Sequence, residues 1–148
     1  ITLTAERVDE MQDHLGFLRD RLVQGLYELN DRLPTLDIRF NSLVVDDLKR
    51  QSPSIVNFSF PPVEGEVLLH HLEEKKIYVG LGSACSASSK EPSKILTGIG
   101  LSQSEARCSL RISFSGNNTI KDIDVFLEEF SSAYKSLYPT FSKTTFEN

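Results

Sequence analysis

The chain has 148 residues, 39% apolar and 25% charged, with a net charge of −5 at neutral pH. That length predicts one domain, or part of a larger unit, with enough chain to bury about 70% of its unfolded surface. The acidic balance excludes nucleic acid as the main partner, since phosphate contacts need clustered lysine and arginine, and no apolar run or leader pattern points to a membrane or a secretory signal.

Two cysteines, Cys85 and Cys108, are too few for a disulfide framework and predict a reducing, cytoplasmic setting. The three histidines are scattered, with no zinc-like spacing. The sequence opens at Ile1, inside what reads as a helical stretch, and is expected to be a piece of a longer protein.

From Thr4 to Leu29, Val8, Met11, Leu15, Leu18, Leu22, Leu26 and Leu29 recur at spacings of three and four and predict one amphipathic helix, ended by Leu33-Pro34. Thr35–Phe40 predicts a short strand. Asn41–Pro53 is polar and predicts a loop, with a strand-like patch at Leu43–Val45. Ser54–Phe60 alternates, with Val56, Phe58 and Phe60 on one face and Asn57 and Ser59 facing outward, and Pro61-Pro62 stops it. Glu64–Lys75 predicts a helix with acids in the first turn and lysines in the last. His70 and His71 are neighbours, point to different faces, and are expected at the surface.

Lys76–Val79 predicts a strand. Gly80–Ser89 follows as a loop of small residues that offers only Leu81 for packing and carries Cys85 at its tip. Pro92 suits the first position of a helix that Gly98 and Gly100 would end, and Ser102–Ala106 predicts a helical turn. Ser109–Phe114 alternates again, with Leu110, Ile112 and Phe114 on one face and Ser109, Arg111 and Ser113 on the other. Thr119 with Asp122 approximates a capping box for a last helix along Ile120, Ile123, Phe126, Leu127, Phe130, Tyr134 and Leu137. Pro139–Asn148 predicts a loose tail beyond a domain of residues 1–138. The order predicts an α+β two-layer sandwich: three or four short strands in a mixed or antiparallel sheet, packed on long first and last helices.

Two side chains stand out chemically. A loop thiol is useful as a thiolate, yet at an ordinary pKa of about 8.5 few molecules ionise at neutral pH, and no base lies beside Cys85 in sequence. An inert small residue in a glycine–serine loop explains it equally well on spacing alone. Arg111, in mid-strand between serines, is costly to desolvate unless it meets an anion, and its guanidinium fits a carboxylate bidentately. A structural ion pair with one of the 21 acids, or simple exposure, is favoured on spacing alone. Cys108 is expected in the core.

Gly82-Ser83-Ala84-Cys85-Ser86, Glu91-Pro92-Ser93 and Leu110–Ser115 with Asn118-Thr119 together resemble the C-terminal part of group I cysteine desulfurases. Leu18–Leu22 is similar to that family's long linking helix, and Val56–Phe60 with Val63–Glu66 to its strand and following helix, so the resemblance covers about Val8 to Leu137. It implies the small domain of a homodimeric, fold-type-I pyridoxal phosphate enzyme. It implies that Cys85 attacks the sulfur of a cysteine–pyridoxal adduct, leaving alanine and a persulfide. It implies that the loop then swings to deliver sulfur to iron–sulfur scaffolds or tRNA-thiolation carriers, and that Arg111 holds the carboxylate of L-cysteine.

The chain departs from the family at Gly116 and Asn117, where an arginine and an aromatic are common. Nothing in it resembles the cofactor domain: the Schiff-base lysine and the pyridinium-pairing aspartate have no counterpart, and Lys75, Lys76, Lys90 and Lys94 are poor substitutes. The chain alone is therefore expected to be inactive, with the large domain and a second subunit as partners. A stand-alone persulfide carrier, or the small domain of a related transaminase-like enzyme, are the alternatives.

Overall fold

The structure, a computed structural model, describes residues 4–42, 52–82 and 93–144. Five helices and four strands are found among them: α1 (Ala5–Arg32), β1 (Arg39–Phe40), β2 (Ile55–Ser59), α2 (Gly65–Glu74), β3 (Gly80–Leu81), α3 (Lys94–Gly98), α4 (Gln103–Arg107), β4 (Ser109–Ser113) and α5 (Ile120–Thr144). The strands form one antiparallel sheet in the order β1-β2-β4-β3. No helix among the described residues is long and apolar enough to cross a membrane.

Strand alternation decides which side of the sheet is covered. Val56 and Phe58 of β2, Phe60 just beyond it, Leu110 and Ile112 of β4, and Phe114 join one core with the apolar stripes of α1, α2 and α5. The α1 stripe buries Leu15, Leu18, Leu22, Leu26 and Leu29, while Val8 and Met11 at its first turns stay exposed. Phe130 of α5 meets both Phe58 and Phe60 edge-on, with ring centroids 5.6 and 5.3 Å apart. Full burial of such a side chain contributes about 1.5–3 kcal/mol, so this aromatic group anchors the helical layer to the sheet.

Helix ends follow their local chemistry. Leu33 N–H closes α1 on Leu29 O, with Pro34 next. Ser93 caps α3 through its hydroxyl, which accepts from Leu96 N–H, so that helix begins at Lys94, two residues after the expected Pro92, which lies outside the described residues. Ser102 and Glu105 form a complete capping box on α4, and the bonds from Ser102 hold the Glu105 carboxyl below its ordinary range. At α5 only half of the expected box forms: Thr119 N–H and hydroxyl both donate to Asp122, which keeps that carboxyl acidic.

Three sequence expectations are corrected. The strand expected at Lys76–Val79 is displaced to Gly80–Leu81. Lys76 adopts φ 61°, and the amides of Lys75, Lys76 and Ile77 bond to Leu72 and Glu73 carbonyls, closing α2 instead of joining a ladder. Thr35–Phe40 is strand only at Arg39–Phe40, because Thr35 O accepts from the Tyr134 hydroxyl and Ile38 N–H donates to Asn30. The tail expected from Pro139 is helical as far as Thr144, with Tyr138 and Phe141 packed against the core on either side of the proline. The strand-like patch at Leu43–Val45 lies outside the described residues.

Candidate functional site

The face of the sheet opposite α1, α2 and α5 is polar. Register places Asn57 of β2 and Gly80 of β3 opposite Arg111 of β4, and Ser59 opposite Ser109. Asn57 and Ser59 were expected to face outward as ordinary exposed residues. They do lie on this second face, yet both are buried. Asn41, just past β1, is the reason: its side-chain N–H group donates to Asn57 Oδ1 at 2.7 Å and to Ser59 Oγ at 2.8 Å. Ser42 Oγ accepts from Asn57 N–H, and Ser109 Oγ donates to Ala106 O. Polar atoms lodged this way are satisfied, and the platform around Arg111 is stiffened by them.

Arg111 differs from the three arginines that are bonded to described acids. Arg19 is bonded by Asp20, Arg21 by Asp124, and Arg39 by Asp37 and Glu105. No hydrogen bond or ion pair links the half-buried Arg111 side chain to another described residue. The guanidinium sits in mid-sheet between the Gly80 backbone and Asn57, whose amide oxygen accepts from Asn41, and such a planar cation can pair bidentately with an oxyanion. The structural ion pair that spacing favoured for Arg111 is therefore absent among the described residues.

Two glycines shape this face. A Cβ on Gly82 would press on the Leu96 side chain and lie 2.6 Å from Ser109 Oγ, so any larger residue where the chain passes between α3 and β4 would force those side chains to shift. Gly80 lies against the Arg111 guanidinium itself. Neither glycine, nor Asn41, stood out in the sequence as a site residue. The long-range pairing that places them left no local signal, although a glycine pair bracketing a strand is a cue to close backbone approach.

Cys85 lies outside the described residues. Cys108 is buried at the end of α4, as expected, and burial, with Glu64 nearby, pushes its thiol up to about 11, so it is a core residue and no nucleophile. His70 and His71 are exposed, His70 beside Glu73. No group of histidine, cysteine and acidic residues among those described could hold a metal. A groove of about 670 Å³ between α1 and α5 belongs to the helical layer, and its charges include the Arg21–Asp124 pair.

Pyridoxal phosphate, the cofactor the resemblance implies, needs a sheltered lysine for its Schiff base. Every described lysine is exposed; Lys75 and Lys76 end α2, Lys94 opens α3, and Lys75 sits 3.8 Å from Glu129. The described residues therefore do not fit the cofactor by themselves.

Comparison with known proteins gives this geometry its context. The chain is 40% identical over 128 residues to the cysteine desulfurase IscS of Clostridium botulinum, covering 86% of this chain and 30% of that protein. It is 36% identical over 126 residues to the IscS of Methanosarcina thermophila, covering 85% and 29%. A solved NifS-like protein superposes with a TM-score of 0.68 at 25% identity, over 89% of this chain and 30% of that one. The chain thus spans about 30% of the length of the relatives it matches. The profile of the aminotransferase class-V family matches residues 4–126, and the chain belongs to that family.

Proposed function

We propose that this chain is the small-domain portion of a cysteine desulfurase. In it Arg111 holds the carboxylate of L-cysteine, and Cys85 takes the substrate's sulfur. The observation that carries this reading is Arg111: a guanidinium set in mid-sheet on a satisfied polar platform, with no carboxylate among the described residues to neutralise it. Cys85 follows Gly82 by three residues, so covalent geometry keeps the two Cα atoms within about 11 Å of each other. Gly82 in turn is two residues from Gly80, beside the guanidinium. The names of the relatives point the same way.

The net conversion balances without an added oxidant. The Cys85 thiol and L-cysteine become a Cys85 persulfide and L-alanine. A sulfur–sulfur bond forms, the substrate's carbon–sulfur bond breaks with its electron pair left on carbon, and that carbon takes a proton. Pyridoxal phosphate, when bound, supplies the electron sink for such a cleavage, and the part of the protein beyond this chain would hold it. This chain's share is to fix the carboxylate, and so the substrate's orientation, and to offer the accepting thiol. Alone it is inactive. A second subunit, sulfur-accepting proteins and a cytoplasmic setting complete the proposal.

The test is an intact mass of the full-length protein after incubation with L-cysteine. A gain of about 32 Da on Cys85, absent from Cys85→Ala, is the expected result. A gain located elsewhere, or one that survives in Cys85→Ala, overturns the assignment.

A further inference from the structure

At the level of Arg111 the two neighbouring strands are unlike. β2 offers Asn57, whose amide oxygen is held by Asn41, and β3 offers Gly80. A Cβ built on Gly80 would lie 3.1 Å from Arg111 Nη2, 3.3 Å from Nε and 3.5 Å from Cζ. Both nitrogens are nearer than the carbon between them. The Nε–Nη2 edge of the guanidinium, one of the two forks that can grip a carboxylate with parallel hydrogen bonds, is therefore the edge turned towards Gly80. The backbone there lies outside the left-handed region, so its conformation does not demand glycine. The close fork instead means that an added Cβ would have to push the guanidinium aside by a few tenths of an ångström.

We propose that Gly80 is a specificity-determining position: by lacking a side chain it leaves the Nε–Nη2 fork of Arg111 open to the substrate carboxylate. The proposal rests on the carboxylate-binding role given to Arg111 above. An alanine at this position fits the strand but presses on the fork. The guanidinium must then yield by a few tenths of an ångström, and the methyl group stands where the carboxylate approaches. A bidentate contact is sensitive to such a displacement because both hydrogen bonds depend on one plane. Gly80 acts through Arg111 and is a positioning residue, without chemistry of its own.

The experiment uses the full-length protein loaded with pyridoxal phosphate and two ligands that carry no sulfur to transfer, L-alanine and L-alaninamide. Equilibrium titration, followed by the cofactor's absorbance, gives the two dissociation constants, and their ratio measures how much the carboxylate contributes. Gly80→Ala is expected to lower that ratio at least fivefold, while Gly98→Ala, where an added Cβ meets nothing within 4 Å, leaves it unchanged. A double-mutant cycle separates the fork from general damage: in an Arg111→Lys background, which has no fork, Gly80→Ala is expected to change the ratio less than twofold. Equal losses in both backgrounds, or an unchanged ratio in Gly80→Ala when Arg111→Lys lowers it, overturn the role of Gly80 and leave Arg111 standing. If Arg111→Lys and Arg111→Ala both keep the ratio of the unmodified protein, the carboxylate role of Arg111 fails, and that of Gly80 with it.

Discussion

The two faces of the sheet are made from the same strands and serve opposite ends. On one, Val56, Phe58, Leu110 and Ile112 disappear beneath α1, α2 and α5, and nearly every atom is spoken for by packing. On the other, Asn57, Ser59 and Ser109 are also buried, but they are bonded to Asn41, Ser42 and Ala106, and the Arg111 cation has no partner among the described residues. Stability and chemistry separate between the two faces. An apolar face gains by having nothing unpaired, whereas a face proposed to bind an anion keeps one group, Arg111, without a partner among the described residues.

Substitutions that break each face should therefore differ in kind. Phe58→Ala removes a fully buried ring in contact with Phe40, Phe60 and Phe130, and should cost about 3–5 kcal/mol of unfolding free energy in urea titration. Asn41→Ala takes the donor from Asn57 Oδ1 and Ser59 Oγ together. It should cost about 1–3 kcal/mol by the same measurement, the price of stranding buried acceptors.

The Cys108 thiol gives a smaller, pH-dependent effect. Its pKa is raised from 9.0 to about 11 by burial. Below pH 9 both the folded and unfolded chains keep the proton. As pH rises further, the unfolded chain loses it first, so stability falls across about pH 9 to 11. Unfolding midpoints across that window should decline more steeply for the parent chain than for Cys108→Ala. At neutral pH, alkylation of folded Cys85→Ala should leave Cys108 unmodified.

Much of this division was legible in the sequence. The alternation in Ser54–Phe60 and Ser109–Phe114 separated an apolar from a polar face, and Arg111 between two serines stood out as a cation on the polar one. Burial of Asn57 and Ser59 was not legible, since it depends on Asn41, which reaches them only once β1 pairs with β2. The place of β3 was misread for a related reason. Tyr78 and Val79 have the stronger strand preference, but the amides before them close α2, and pairing with β4 begins at a glycine that gives the Arg111 guanidinium room. Pro139 reads as a breaker, yet α5 continues because Leu137, Tyr138 and Phe141 around it pack on the core.

The sharpest test of the division is Arg111→Leu, read as persulfide yield on Cys85 at low L-cysteine in full-length protein whose unfolding midpoint is measured alongside. A carboxylate-binding Arg111 predicts a yield at least tenfold lower, with stability within about 0.5 kcal/mol of the parent, as for a side chain on which the fold does not depend. A full yield, or a loss of stability large enough to explain the lost activity, would contradict it.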